Sequence, residues 1–338
     1  MVKLTDVSIK AKVSIATASL ALNDSNLVSD KTKKKVKKIA KELNYSPNIH
    51  AKRLSKGKSY NLTLMINSEY FFNPSPHLFY LKVIGGMIKE SENTEYTLNF
   101  SFFNQSNSKE ISKKLKNINN FDGIMILDII NEETHKILTD NLKIPFLLVD
   151  NHMNFKNTYS VDNDDYGGAY KAIQYLIELG HRKIGYIGLS EKHPLGRECI
   201  LGFNQALSDN NLEALYYFKR DDFEFNTGRI AAKQILKNKL SLTAYYCAND
   251  YIAIGVMDEF RENKVKIPGD ISIVGMDDND LSSEVRVPLT TIKINMEKIG
   301  SVSIKKIISL INKKYIGEIK TTIPNKLIIR NSCSHLKL

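Results

Sequence analysis

The first fifty-eight residues carry thirteen Lys and one Arg against Asp6, Asp24, Asp30 and Glu42, a net charge of +10 in a chain whose total is +11. The chemistry such a concentration offers is neutralisation of phosphates, and confinement to one small segment argues for nucleic acid rather than for a merely solvated face. Elsewhere the reactive residue types fall into no catalytic pattern. The sequence has no phosphate-binding glycine loop, no Gly-x-Ser-x-Gly and no His-Glu-x-x-His. The acidic run Asp162 to Asp165 fails as a calcium loop, because Tyr166 occupies a ligand position and Ile173 stands where a bidentate glutamate is needed. Asp277-Asp278-Asn279-Asp280 lacks the glycine such a loop requires at its sixth position. Cys199, Cys247 and Cys333 show no paired metal spacing. The sequence therefore predicts no catalytic residue, no metal and no cofactor.

The elements that would hold the basic charges can be read locally. Thr5 to Ala11 is an expected helix with Thr5 as N-cap, and Ser14 caps a second one over Ile15-Ala16-Thr17-Ala18-Ser19-Leu20-Ala21-Leu22-Asn23. Helices separated by so few residues must cross steeply, the helix-turn-helix arrangement, and the N-terminal side chains of the second would point into a major groove. A third helix begins at Ser29, with Val36, Ile39, Ala40 and Leu43 on one face and Lys33, Lys34, Lys35, Lys37, Lys38 and Lys41 covering the rest. Pro47 ends it, and Asn48 can cap a short helix running to Ser55.

The residues Asp6-Val7, Val13-Ser14, Thr17, Ser19, Asn23, Val28-Ser29, Thr32, Val36, Leu43-Asn44-Tyr45, Pro47-Asn48, Ala51 and Leu54 resemble, at their fixed spacing, the lactose-repressor (LacI/GalR) family of bacterial transcription regulators. Family-like motifs continue to about Arg330. The resemblance implies that Thr5, Ser14, Ile15, Ala16, Thr17, Ser19, Leu20 and Asn23 face DNA. It also implies that the short helix at about 48–56 is a hinge that orders on operator DNA, with Asn48, Ala51 and Leu54 as DNA-binding residues and Leu54 wedging into the minor groove. An apolar wedge such as Leu54 between base steps kinks the duplex at a cost of a few kcal/mol, offset by added contact. Two residues depart from the family pattern. Lys12 replaces a glycine common in the turn, and Leu20 replaces an arginine able to bond a guanine edge, so that thymine methyls are the most it can touch.

The remaining 280 or so residues exceed one compact core and suggest two lobes. Expected strands at 62–66, 96–103, 123–127, 145–149, 184–187, 214–218, 243–247 and 271–274 alternate with amphipathic helices, a pattern that favours parallel sheets. The expected fold is a small all-α helix-turn-helix headpiece (1–58) plus an α/β two-lobed body with parallel sheets (59–338), which the resemblance makes periplasmic-binding-protein-like. The resemblance also places the first lobe at about 60–159 and 290–321 and the second at about 160–289 and 322–330.

Open α/β sheets bind ligands at strand ends, where carboxylates and amides can accept hydroxyl hydrogen bonds. Family matches there nominate Asp150, Asn249 and Asp277, with Phe79 and Tyr80 as an aromatic wall. Arg197 is nominated as a ligand-gripping arginine although it lies two residues before the family position, which Cys199 occupies. The implied ligand is a sugar or sugar derivative, with a purine as the other class. A secreted solute-binding protein would share such a body, but the chain opens directly into the headpiece rather than a signal peptide, and an odd count of three cysteines fits a reducing cytoplasm. A non-specific nucleic-acid-binding protein would leave the body without a role. The expectation is thus a cytoplasmic, ligand-controlled repressor. It binds double-stranded operator DNA as a homodimer and makes no membrane contact.

Overall fold

The computed structural model describes residues 2–45, 58–71, 74–116, 120–314 and 317–336. The chain divides into two units, Met1–Tyr60 and Asn61–Leu338. In the first unit α1 (Leu4–Ala11), α2 (Ile15–Leu22) and α3 (Asp30–Glu42) close around Val7, Ala11, Ala18, Ala21, Val36 and Ala40. The small size of these residues lets three short helices approach closely with few apolar atoms. Ser14 and Ser29 cap α2 and α3, their hydroxyls accepting the N–H of Thr17 at 3.0 Å and of Thr32 at 3.4 Å. Thr5, however, is not the cap of α1. The helix begins one residue earlier because the Asp6 carboxylate takes the Lys3 N–H at 2.7 Å, satisfying a first-turn donor from within.

Lys12 adopts φ 53°, the left-handed conformation that ends α1. A side chain there is strained, so Lys12→Gly is expected to raise headpiece stability by about 1 kcal/mol. Calorimetric melting of both proteins checks this, and an unchanged or lowered transition would mean that the lysine side chain compensates for its backbone.

The second unit contains two six-stranded sheets. The first comprises β1 (Asn61–Asn67), β2 (Thr97–Phe103), β3 (Gly123–Leu127), β4 (Phe146–Val149), β5 (Ser160–Asn163) and β11 (Lys320–Ile323), in the order β11-β5-β4-β3-β1-β2, all parallel. The second comprises β6 (Ile184–Gly188), β7 (Tyr216–Lys219), β8 (Ala244–Cys247), β9 (Ser272–Asp277), β10 (Thr290–Lys293) and β12 (Lys326–Ile328), in the order β12-β10-β9-β8-β6-β7. Only β12 in that sheet runs antiparallel, against β10. In each sheet the strand order reverses beside its first strand, between β1 and β3 and between β6 and β8, which is where crevices form in open parallel sheets.

The helices between strands are α4 (Ser68–Phe71), α5 (Pro74–Ser91), α6 (Ser108–Lys116), α7 (Glu132–Asn141), α8 (Asp165–Glu178), α9 (Pro194–Asp209), α10 (Phe225–Lys237), α11 (Asp250–Glu262), α12 (Leu281–Glu284) and α13 (Met296–Ile311). Helix α13 packs on α5 and the first sheet. It is tied there by Lys306 Nζ, which donates to the carbonyls of Ser160, Glu318 and Ile319 and to the Thr321 hydroxyl. Four-residue strands β5, β10 and β11 are too short and too polar to show as apolar runs. They mark where the chain changes sheet: it leaves the first sheet after Asn163, the second after Lys293 and the first again after Ile323, close to the crossings expected near 160, 289 and 322.

Candidate functional site

On α2 the side chains nominated for DNA divide by exposure. Ile15, Ala16 and Asn23 are exposed, as are Ser14 and, on α1, Thr5, while Thr17 and Ser19 are half-buried. The Ser14 and Thr17 hydroxyls share a 2.8 Å hydrogen bond, and Asn23 donates to the Ser19 carbonyl at 3.0 Å. Leu20 is half-buried and packs against the headpiece core, so it shares its surface between the core and solvent. Lys34, Lys35, Lys38 and Lys41 are exposed along α3. Asn48, Ala51 and Leu54, the nominated hinge contacts, lie outside the described residues.

In the body, a cavity of about 360 Å³ is lined from both sheets. Its polar groups stand just beyond strand C-termini: Asp128 after β3, Asp150 after β4, Asn163 at the end of β5 and Asp165 next to it, Asn249 after β8 and Asp277 ending β9. Four cavity residues hold positive φ without being glycine: Asp128 (84°), Asp150 (54°), His152 (59°) and Asp277 (126°). Asp and His tolerate this region better than most, and such strain persists only where surrounding bonds over-determine it. Those bonds are present. Asp162 accepts the N–H groups of Asn151 (2.9 Å) and His152 (3.3 Å), and Asn151 Nδ2 donates to the Asp128 carbonyl at 2.8 Å. Behind Asp277, the buried Asp250 carboxylate accepts from Asn279 N–H (3.0 Å) and from the Ser282 and Thr291 hydroxyls (2.5 Å each).

The electrostatic centre is His152. Its ring lies between Asp150 Oδ1 (3.0 Å from Nε2) and Asp165 Oδ2 (3.1 Å from Nδ1), with its side chain 3% exposed. Burial works against its charge, but Asp165 and Asp150 outweigh burial and push its pKa to about 10, so the imidazole is a buried cation. Burial raises Asp128 to about 7 and Asp165 to about 6, in the latter case despite the adjacent imidazolium. Asp277 is raised well above the carboxylate range by burial and then by the charge of Asp250. His193, half-buried and repelled by His152, is pushed down by desolvation to about 4 and is neutral.

Of the nominated ligand residues, Phe79, Tyr80, Asp150, Asn249 and Asp277 line this cavity and Arg197 does not. Helix α9 turns Gly196, Cys199, Ile200 and Phe203 inward at helical spacing, which leaves Arg197 exposed on the opposite face. Cys199 is no substitute ligand, being fully buried with its sulfur taking the Tyr246 hydroxyl at 3.7 Å. Asn249 has a second task, since its Oδ1 caps α11 through Ile252 N–H (2.8 Å) and its Nδ2 donates to the Phe223 carbonyl (3.2 Å). Sequence reading missed Asp128, His152, Asn163, Asp165 and His193. The strand-end rule that selected Asp150 also selects Asp128, but nothing local marked His152.

Two family models match the chain: "Bacterial regulatory proteins, lacI family" over residues 3–48 and "Periplasmic binding protein-like domain" over residues 173–333. The repressor PurR of Vibrio atlanticus is 30% identical over 309 residues, covering 89% of each chain. The chain belongs to the LacI family of bacterial regulatory proteins. The probable repressor ExuR of Bacillus subtilis, another relative of this LacI-family chain, is 28% identical over 340 residues and covers 99% of both. In fold the LacI-family chain is similar to the lac repressor dimer bound to operator and the anti-inducer ONPF, with a TM-score of 0.77, 24% identity and coverage of 98% and 99%. The family is one of DNA-binding transcription regulators rather than enzymes. Among the described residues no helix is long and apolar enough to cross a membrane, and no group of His, Cys, Asp and Glu could hold a metal ion.

Proposed function

We propose that this LacI-family protein is a cytoplasmic repressor that binds a near-palindromic operator as a homodimer and is released or engaged by a small hydroxylated molecule in the body cavity. The observation that carries the reading is the union, in one chain, of a basic helix-turn-helix unit with a two-sheet body whose crevice gathers Asp128, Asp150, Asp165 and Asp277. Two headpieces are needed to read two half-sites, so dimerisation follows from symmetric DNA recognition. Effector control is linkage: a ligand that binds one arrangement of the body better than another shifts the equilibrium that sets operator affinity. Ile15, Ala16 and Leu20 offer no hydrogen-bonding group to base edges, which favours recognition through thymine methyls, phosphates and the Leu54 wedge.

Selection from random duplexes tests this. The full-length protein is expected to recover one near-palindromic sequence whose affinity falls steeply with salt, and Leu54→Ala is expected to weaken it about tenfold or more. Binding of all duplexes alike would reduce the protein to a non-specific nucleic-acid binder. An unchanged affinity in the variant would remove the wedge.

A further inference from the structure

The cavity wall is rich in carboxyl groups and poor in basic ones. Asp128, Asp150, Asp165 and Asp277 face it from strand ends, and Asp221, Asp222 and Glu224 border it from the loop after β7. Against these carboxylates stand His152, already held between Asp150 and Asp165, the neutral His193, the exposed Lys192 and Arg220, whose Nε pairs with Asp222 at 2.6 Å. Among the described residues no arginine lines the cavity. An arginine could have gripped a carboxylate or phosphate group through its planar fork. The one the sequence offered, Arg197, points to solvent.

The wall also holds buried oxygens with no partner. Asn163 is 5% exposed, and its amide nitrogen donates to Asp165 Oδ1 at 2.6 Å, so its Oδ1 is left as a bare acceptor on the cavity lining. Asp128 Oδ2 is a second such atom, although its carboxylate also takes the Ile129 N–H at 2.6 Å and a hydrogen bond from the Tyr80 side chain. Leaving buried acceptors unmatched is costly, and a ligand rich in donors would relieve the cost. A ligand bringing positive charge would also favour the ionised forms of the surrounding carboxylates, whereas an anion would add one more like charge in a poorly solvated space. Phe79, on α5, and Phe223, in the loop after β7, give flat apolar surface to the rest of the molecule.

Resting on the reading of this cavity as the effector site, we propose that the effector is a hydroxylated ring carrying a protonated amine, in chemical class an amino sugar, with its ammonium group among Asp128, Asp165 and Asn163. The hydroxyls donate to Asp150 and Asp277. Uronates and phosphorylated sugars are excluded by the same field.

Calorimetric titration of the full chain with matched sugars tests the assignment: glucosamine, glucose, N-acetylglucosamine and glucuronate, then the four corresponding galactose compounds. The amine in one set is expected to bind about tenfold or more tighter than its neutral parent, N-acetylation is expected to erase that advantage, and the uronate is expected to show no binding. Asp128→Asn is expected to bring amine and parent to within about threefold of each other. A parent or uronate that binds as tightly as the amine overturns the inference while keeping the cavity as effector site. Silence from all eight compounds overturns it too, and duplex selection then decides separately whether the repressor reading stands.

Discussion

Replacing His152 with alanine will destabilise the body by about 3–5 kcal/mol in urea unfolding at neutral pH, the range expected when one member of a buried ion pair is removed and its partner is left uncompensated. The imidazole holds the only positive charge buried among Asp150, Asp165 and the nearby Asp162 and Asp128 in the described cavity wall. Its pKa in the folded protein, about 10, lies above the 6.5 of an exposed histidine. Its stabilising contribution is therefore complete below about pH 6.5 and disappears as pH rises through 10. The parent protein should lose stability over that window more steeply than His152→Ala. A loss below about 1 kcal/mol with no difference in slope would mean that the carboxylates neutralise themselves by taking up protons and that His152 is no counter-ion.

Asp128→Asn should act in the opposite direction. Burial raises the Asp128 carboxyl to about 7, so folding at alkaline pH must bury a charge that the unfolded chain leaves in water. Here the folded pKa exceeds the unfolded one, and stability contributed by the protonated form is lost as pH climbs from about 4 through 7. An amide of the same shape carries no such penalty. The variant should match the parent near pH 4 and exceed it by about 4 kcal/mol above pH 8, at roughly 1.4 kcal/mol per unit of displaced pKa. Equal unfolding free energies at pH 8 would mean that Asp128 is hydrated rather than buried. A variant that gains stability while losing effector discrimination would identify Asp128 as strain kept for binding.

Both expectations concern residues that local patterns did not select together. Asp128 and Asp150 each follow an apolar run, and strand-end position is legible in sequence. What brings them within reach of His152 and Asp165 is the parallel pairing of β3, β4 and β5, a register between segments far apart in the chain. Arg197 shows the opposite failure. Its nomination rested on distance along the chain from Gly202, but a helix assigns direction by rotation, and two residues of displacement turn a side chain to the far side.

By itself the sequence determined the headpiece, because helix caps, small core residues and a lysine face act within one or two turns. It also determined the two-lobed parallel body, because apolar runs alternate with amphipathic helices at the period such sheets require. Only tertiary structure decided which residues at the lobe exchanges are strands, since β5, β10 and β11 are polar four-residue segments that become strands through their neighbours' hydrogen bonds. Only tertiary structure decided the charge of the cavity as well. Whether a histidine is a cation or an aspartate is neutral depends on burial and on carboxylates converging from separate strands, and neither quantity is encoded by residues adjacent in the chain.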